Sequence, residues 1–169
     1  MDIKTSGDLK GILEVLAAMS ETELTISRFY EACSGLSQET AAFWDGLSKA
    51  EIQHCENIKK MIDVISKKPE RFEKGRPFNI FALKTFNDGI KGYINRLKNG
   101  DIDTNKAFFV ARDIEYSLLE NRYGEIVKTD DIEFKTLIRK IITETEEHKA
   151  ALDQKCRERQ CDKQGHAKP

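Results

Sequence analysis

The sequence predicts an all-α protein built as a four-helix bundle, with an extra short helix in the long connection between two helix pairs. Three observations predict it. Four long segments carry apolar residues at alternating steps of three and four, the period of a helix with one buried stripe. Only three prolines occur, and 34% charged with 39% hydrophobic residues suits helices with a salted exterior. Finally, four of the stripes are broken by acidic or histidine residues at matching places, in a pattern that repeats between the two halves of the chain.

The first helix is expected from about Ser6 to Gly35, with the seam Leu9, Ile12, Leu16, Met19, Glu23, Ile26, Tyr30, Cys33. Gly35-Leu36-Ser37 ends it, and Ser37 offers capping chemistry to a second helix over 38–67. That helix has the seam Trp44, Leu47, Glu51, His54, Ile58, Met61, Ile65; Lys67-Lys68 suits its C-terminal dipole, and Pro69 stops it. A charged, irregular connector follows, from Pro69 to Pro77. The short third helix, over 79–99, carries Phe81, Phe86, Ile90, Tyr93, Ile94 and Leu97 but no histidine, which suits a packing or crossover role. Asp103-Thr104 caps a helix over 104–128 with the face Phe108, Ala111, Glu115, Leu119, Tyr123, Ile126. Thr129-Asp130-Asp131 is a tight link to the last helix, 131–158, whose seam is Phe134, Ile138, Ile141, Thr145, His148, Leu152.

A chain of 169 residues suits one domain: the bundle over 1–158, then a polar tail over 159–169. A net charge of −1 and the lack of a sustained basic face argue against nucleic acid as a partner. No apolar run approaches the length that spans a bilayer, and the first residues lack the charged-then-apolar layout of a signal peptide, so the expected location is cytoplasmic, without a membrane partner. Four cysteines make no disulfide framework in a chain of this size. Cys33 and Cys55 read as small core residues. Cys156, Cys161 and His166 match no standard zinc spacing, and the tail around them reads as frayed.

The interrupted seams carry the chemistry. In Glu51-Ile52-Gln53-His54 the carboxylate and the imidazole lie one helical turn apart and point the same way. His148 holds the equivalent place in the last helix, while Glu23 and Glu115 interrupt the helices that precede. Glu23 to Glu51 spans 28 residues and Glu115 to Thr145 spans 30, as in an internal duplication. Glutamates and histidines projecting inward from four helices are the ligand layout of a two-metal site; oxygen and imidazole donors together suit iron, manganese or zinc. One position departs from symmetry. Thr145 stands three before His148, where the scheme wants a fourth glutamate, and Glu144, at the i,i+4 spacing, is the candidate substitute. The expected metal ligands are therefore Glu23, Glu51, His54, Glu115, Glu144 and His148. Tyr30 and Tyr123 are candidate donors to the carboxylates, with core packing as the alternative role.

These residues resemble the rubrerythrin branch of the ferritin-like superfamily: Glu23 with Phe29-Tyr30-Glu31; Phe43-Trp44 through Ala50-Glu51-Ile52-Gln53-His54; Ala111 with Glu115 and Tyr123; Thr129-Asp130-Asp131 through Glu144 to His148. The likeness covers roughly residues 9 to 152, and the extra helix at 79–98 is similar to that of small rubrerythrin-related proteins. It implies a ferritin-like bundle, a di-iron centre, peroxide or oxygen as substrate, and a homodimer. The paired Cys-x-x-Cys motifs of a rubredoxin module do not occur, so redox turnover implies an external electron donor. The family's further ligand, one turn after the third-helix glutamate, is replaced by Leu118. Two other readings remain: a non-catalytic iron-binding or sensory bundle with an incomplete site, and a metal-free scaffold whose polar seam groups bond one another.

Overall fold

A computed structural model gives the fold, describing the backbone of residues 3–117 and 123–165 and the side chains of 9–117 and 124–159. Helix α1 spans Ile3–Ser34, α2 Gln38–Lys67, α3 Ile80–Lys98, α4 Thr104–Ser117, α5 Tyr123–Ile126 and α6 Ile132–Gly165. A strand β1, Phe72–Lys74, and a strand β2, Val127–Thr129, form a small antiparallel ribbon. The architecture is the expected all-α bundle. Helix α1 packs most extensively on α2, α4 packs on α6, and α2 meets α6 between the pairs, while α3 lies along α1. Among the described residues no helix is long and apolar enough to cross a membrane.

The apolar seams assemble into two separate clusters. One gathers Ile26, Tyr30, Trp44, Phe108, Ala111 and Leu152; the other gathers Leu16, Met19, Ile58, Met61, Phe134 and Ile141. Glu23 falls between Met19 and Ile26 on α1, and Glu51 and His54 fall between Leu47 and Ile58 on α2. Thr145 and His148 fall between Ile141 and Leu152 on α6. The polar residues thus form a layer across the bundle, with an oily core above and below. Helix α3 spans both halves from outside, placing Leu83 in one cluster and Ile90 and Leu97 in the other. Close approach of α1 and α2 is helped by small residues: Ser27 and Ser48 hydroxyls hydrogen-bond across the seam at 3.0 Å.

Helix ends follow local chemistry with one exception. Asp103 Oδ1 accepts from Lys106 N–H at 2.7 Å, and Asn79 caps α3 by accepting from Phe81 N–H. Asp131 caps α6 by accepting from Phe134 N–H at 3.0 Å. Its carboxylate also receives Lys68 Nζ at 3.2 Å and Arg71 at 3.0 Å, tying the end of α2 to the start of α6. Ser37 stands at the N-cap of α2 in extended backbone but makes no side-chain cap, so the capping chemistry expected there is unused.

Two differences from the sequence reading have physical causes. The connector after α2 is not wholly irregular, and the helix expected to reach residue 128 gives way to β2, because the two segments pair with Phe72 opposite Thr129 and Lys74 opposite Val127. Phe72 is thereby buried against Phe134. Burying that ring and satisfying the strand's backbone outweigh the helical pattern of the segment around Ile126. The last helix continues to Gly165, beyond the expected end at 158. Leu118, the side chain of Tyr123 and the side chains of Cys161 and His166 lie outside the described residues.

Gly75 extends the ribbon, donating to Ile126 C=O at 2.8 Å, and a Cβ built there would lie 2.1 Å from Glu125 O. Gly75→Ala must therefore displace backbone. An unfolding free energy reduced by about 1–3 kcal/mol is expected in urea titration. A change within error would mean the ribbon shifts freely.

Candidate metal centre

Each polar residue of the middle layer is put there by the seam that carries it. Glu23, Glu51 and Glu115 are 0%, 1% and 0% exposed, His54 is 0% and His148 is 8%. Helical spacing stacks Glu51 and His54 on one face of α2, and α6 brings His148 opposite, with the two imidazole rings 5.6 Å apart and inclined by 26°. Glu23 on α1 and Glu115 on α4 close the layer from the other side.

Two donor groups result, and they share Glu51. Glu23, Glu51 and His54 each present a donor atom within 4.8 Å of the others, and so do Glu51, Glu115 and His148. Atoms bound about 2.0–2.2 Å from one ion lie roughly 3 to 4.4 Å from each other, so small side-chain rotations suffice to close either set. Glu51 is divided between them: its Oε2 lies 2.9 Å from His54 Nδ1, and its Oε1 lies 2.9 Å from His148 Nδ1. That is the placement of a bridging carboxylate.

The second group is short of hydrogen bonds. His148 Nδ1 is close to Glu51 Oε1 and 3.6 Å from Glu115 Oε1, yet neither contact has hydrogen-bond alignment. Glu51 Oε1, Glu115 Oε2 and His148 Nδ1 are all buried without an aligned partner. Buried polar atoms left this way are costly, and a cation between them removes the cost.

The other expected residues fall as follows. Glu144 is inside the layer's rim, its side chain 31% exposed, and its Oε2 lies 3.0 Å from His54 Nε2; the two donor groups form without it. Thr145 is buried, its hydroxyl donating to Ile141 C=O at 3.0 Å, so it offers the centre no carboxylate. Tyr30 donates to Glu115 Oε1 at 2.5 Å and stacks on Trp44, combining the two roles open to it. Sequence reading missed the pairing of Glu144 with His54. No spacing within α6 signals that pairing, because it depends on how α6 sits against α2.

Charges in this layer regulate one another. Burial would raise the Glu51 pKa, but His148 and His54 outweigh it and hold the carboxylate well below its usual range. Burial and the nearby Glu51 raise Glu115, against the pull of His148 and Tyr30. Burial, then Glu115 and Glu51, also keep Tyr30 a neutral phenol. Burial would lower His148, but the Glu115 and Glu51 carboxylates prevail and push it up to about 10. Protein groups alone thus set three buried carboxylates against few positive charges, and divalent ions would restore the balance. No family model, curated protein or solved structure matches the chain.

The raised His148 value gives the metal-free fold a pH signature. The ring's proton stabilises it fully below the ordinary value of 6.5, and that contribution is lost as pH rises through about 10. The urea midpoint of metal-free protein should fall between pH 7 and 10, and His148→Gln should lack that part of the slope. Identical slopes would contradict it.

Proposed function

We propose that this protein is a ferritin-like di-iron protein of the rubrerythrin kind, which binds two ions through Glu23, Glu51, His54, Glu115 and His148 and reduces peroxide or oxygen there. The observation that carries the reading is the sharing of Glu51 between two buried donor groups, with three donor atoms of the second lacking aligned hydrogen bonds. A mixed oxygen and nitrogen donor set accommodates iron, and also manganese or zinc. Bound iron would supply the electrons for oxidant reduction. The protein's share is to hold the ions and exclude water: the two apolar clusters seal the layer from above and below, and Tyr30 fixes Glu115 by its hydrogen bond. Electrons would come from an external donor, because the chain lacks paired Cys-x-x-Cys motifs.

A second reading, a non-catalytic iron-binding or sensory bundle, is favoured by one observation. Thr145 occupies the position of a fourth carboxylate and bonds its own helix instead. Three glutamates leave two divalent ions with one uncompensated positive charge, which disfavours oxidation to the more highly charged ferric state and so disfavours cycling.

Anaerobic loading followed by elemental analysis should give two iron ions per chain in the wild type. Glu51→Ala, which removes the shared ligand, should lose most of both. Metal-free wild-type protein after loading would refute both readings. Loaded protein that oxidises within seconds of hydrogen peroxide addition, and returns on chemical reduction, supports the redox reading; loaded protein inert to peroxide supports the second.

A further inference from the structure

Glu144 and the two histidines are arranged asymmetrically. His54 meets carboxylates on both ring nitrogens, Glu51 Oε2 at Nδ1 and Glu144 Oε2 at Nε2, with hydrogen-bond alignment in each case. His148 faces Glu51 and Glu115 through Nδ1, and among the described residues no side chain accepts from its Nε2. The two ligand sets are otherwise alike: each has one imidazole, the shared Glu51 and one further glutamate. Only one of them carries an outer carboxylate on its histidine.

We propose that Glu144 is a positioning residue rather than a ligand: it accepts the Nε2 proton of His54, so that His54 meets its ion through Nδ1, and only that ion position depends on it. This deepens the metal-centre reading and rests on it. A neutral imidazole holds one ring proton, and a carboxylate at 3.0 Å from Nε2 fixes it there. The Nδ1 lone pair is then directed at Glu51, which groups with Glu23 and His54. A carboxylate behind the ring also strengthens the lone pair and holds the ring's orientation. Lys140, 3.8 Å from the other Glu144 oxygen, steadies the carboxylate from the solvent side. The exposed rim of Glu144 lets it move without disturbing either apolar cluster, so its loss is felt at the ring rather than in the fold.

The test separates the two positions. In a His148→Ala background, which leaves the Glu23–Glu51–His54 position, Co(II) titration should show one ion per chain, and adding Glu144→Ala should weaken it on the order of 10–100-fold. In a His54→Ala background the same substitution should change the remaining affinity by less than about 2-fold. Equal losses in both backgrounds, or none in the first, overturn the proposal. Should either background fail to fold, Zn(II)-loaded wild-type protein decides by long-range proton–nitrogen NMR: His54 must show a protonated Nε2 and a metal-bound Nδ1. The reverse assignment overturns the proposal while leaving the metal centre intact. Wild-type protein that binds neither Co(II) nor Zn(II) overturns the metal centre itself, and this role with it.

Discussion

Three carboxylates and two imidazoles are held in the dry middle of a helical bundle, and the rest of the structure is arranged around that fact. An isolated carboxylate in such surroundings would take up a proton or drag its helix toward water. Here the second escape is closed, because the seams that carry the glutamates are anchored in apolar clusters, while Glu115 is shifted toward the first. Each helix is committed to its orientation by Leu, Ile, Met and aromatic residues a turn or two away, and the acidic group is carried along. Cohesion of the two clusters thus supplies the free energy that keeps like charges close. The histidines offset part of the repulsion. Their attraction to Glu51 accounts for its depressed pKa, while Glu115, with fewer compensating contacts, shifts the other way.

Much of this was visible in the residue order. A seam such as Met19, Glu23, Ile26 or Leu47, Glu51, His54, Ile58 declares both the helix and the depth of the polar group, since its neighbours on the same face are all apolar. Period and depth are local properties, and the five buried acidic and histidine residues of the layer were legible for that reason. Partners across helices are not local. Whether Glu144 would reach His148 on its own helix or His54 on the facing one depends on the rotation of α6 against α2, which no spacing within α6 encodes. The ribbon was hidden for a related cause: Phe72–Lys74 and Val127–Thr129 are too short to show a strand period, and each acquires its conformation only from the other.

Tyr30 illustrates how a single side chain can serve both levels. Its ring lies in the aromatic stack with Phe29 and Trp44, part of the cohesion of one cluster, while its hydroxyl ends that cluster at Glu115. The boundary between oil and charge therefore runs through one residue. Thr145 marks the same boundary on α6 in a different way, turning its hydroxyl back to its own helix and presenting only a methyl group to the interior.

The ribbon and the Asp131 cap also act as an index. They clamp the chain just before α6 begins to the segment just after α2 ends, leaving α6 a single angular setting relative to its neighbour. Each residue added to a helix turns everything beyond it by about 100°. A one-residue insertion between Ile132 and Ile141 would swing His148 out of the layer even though every ligand remained in the chain. Length in that stretch is therefore as much a part of the centre as the side chains themselves.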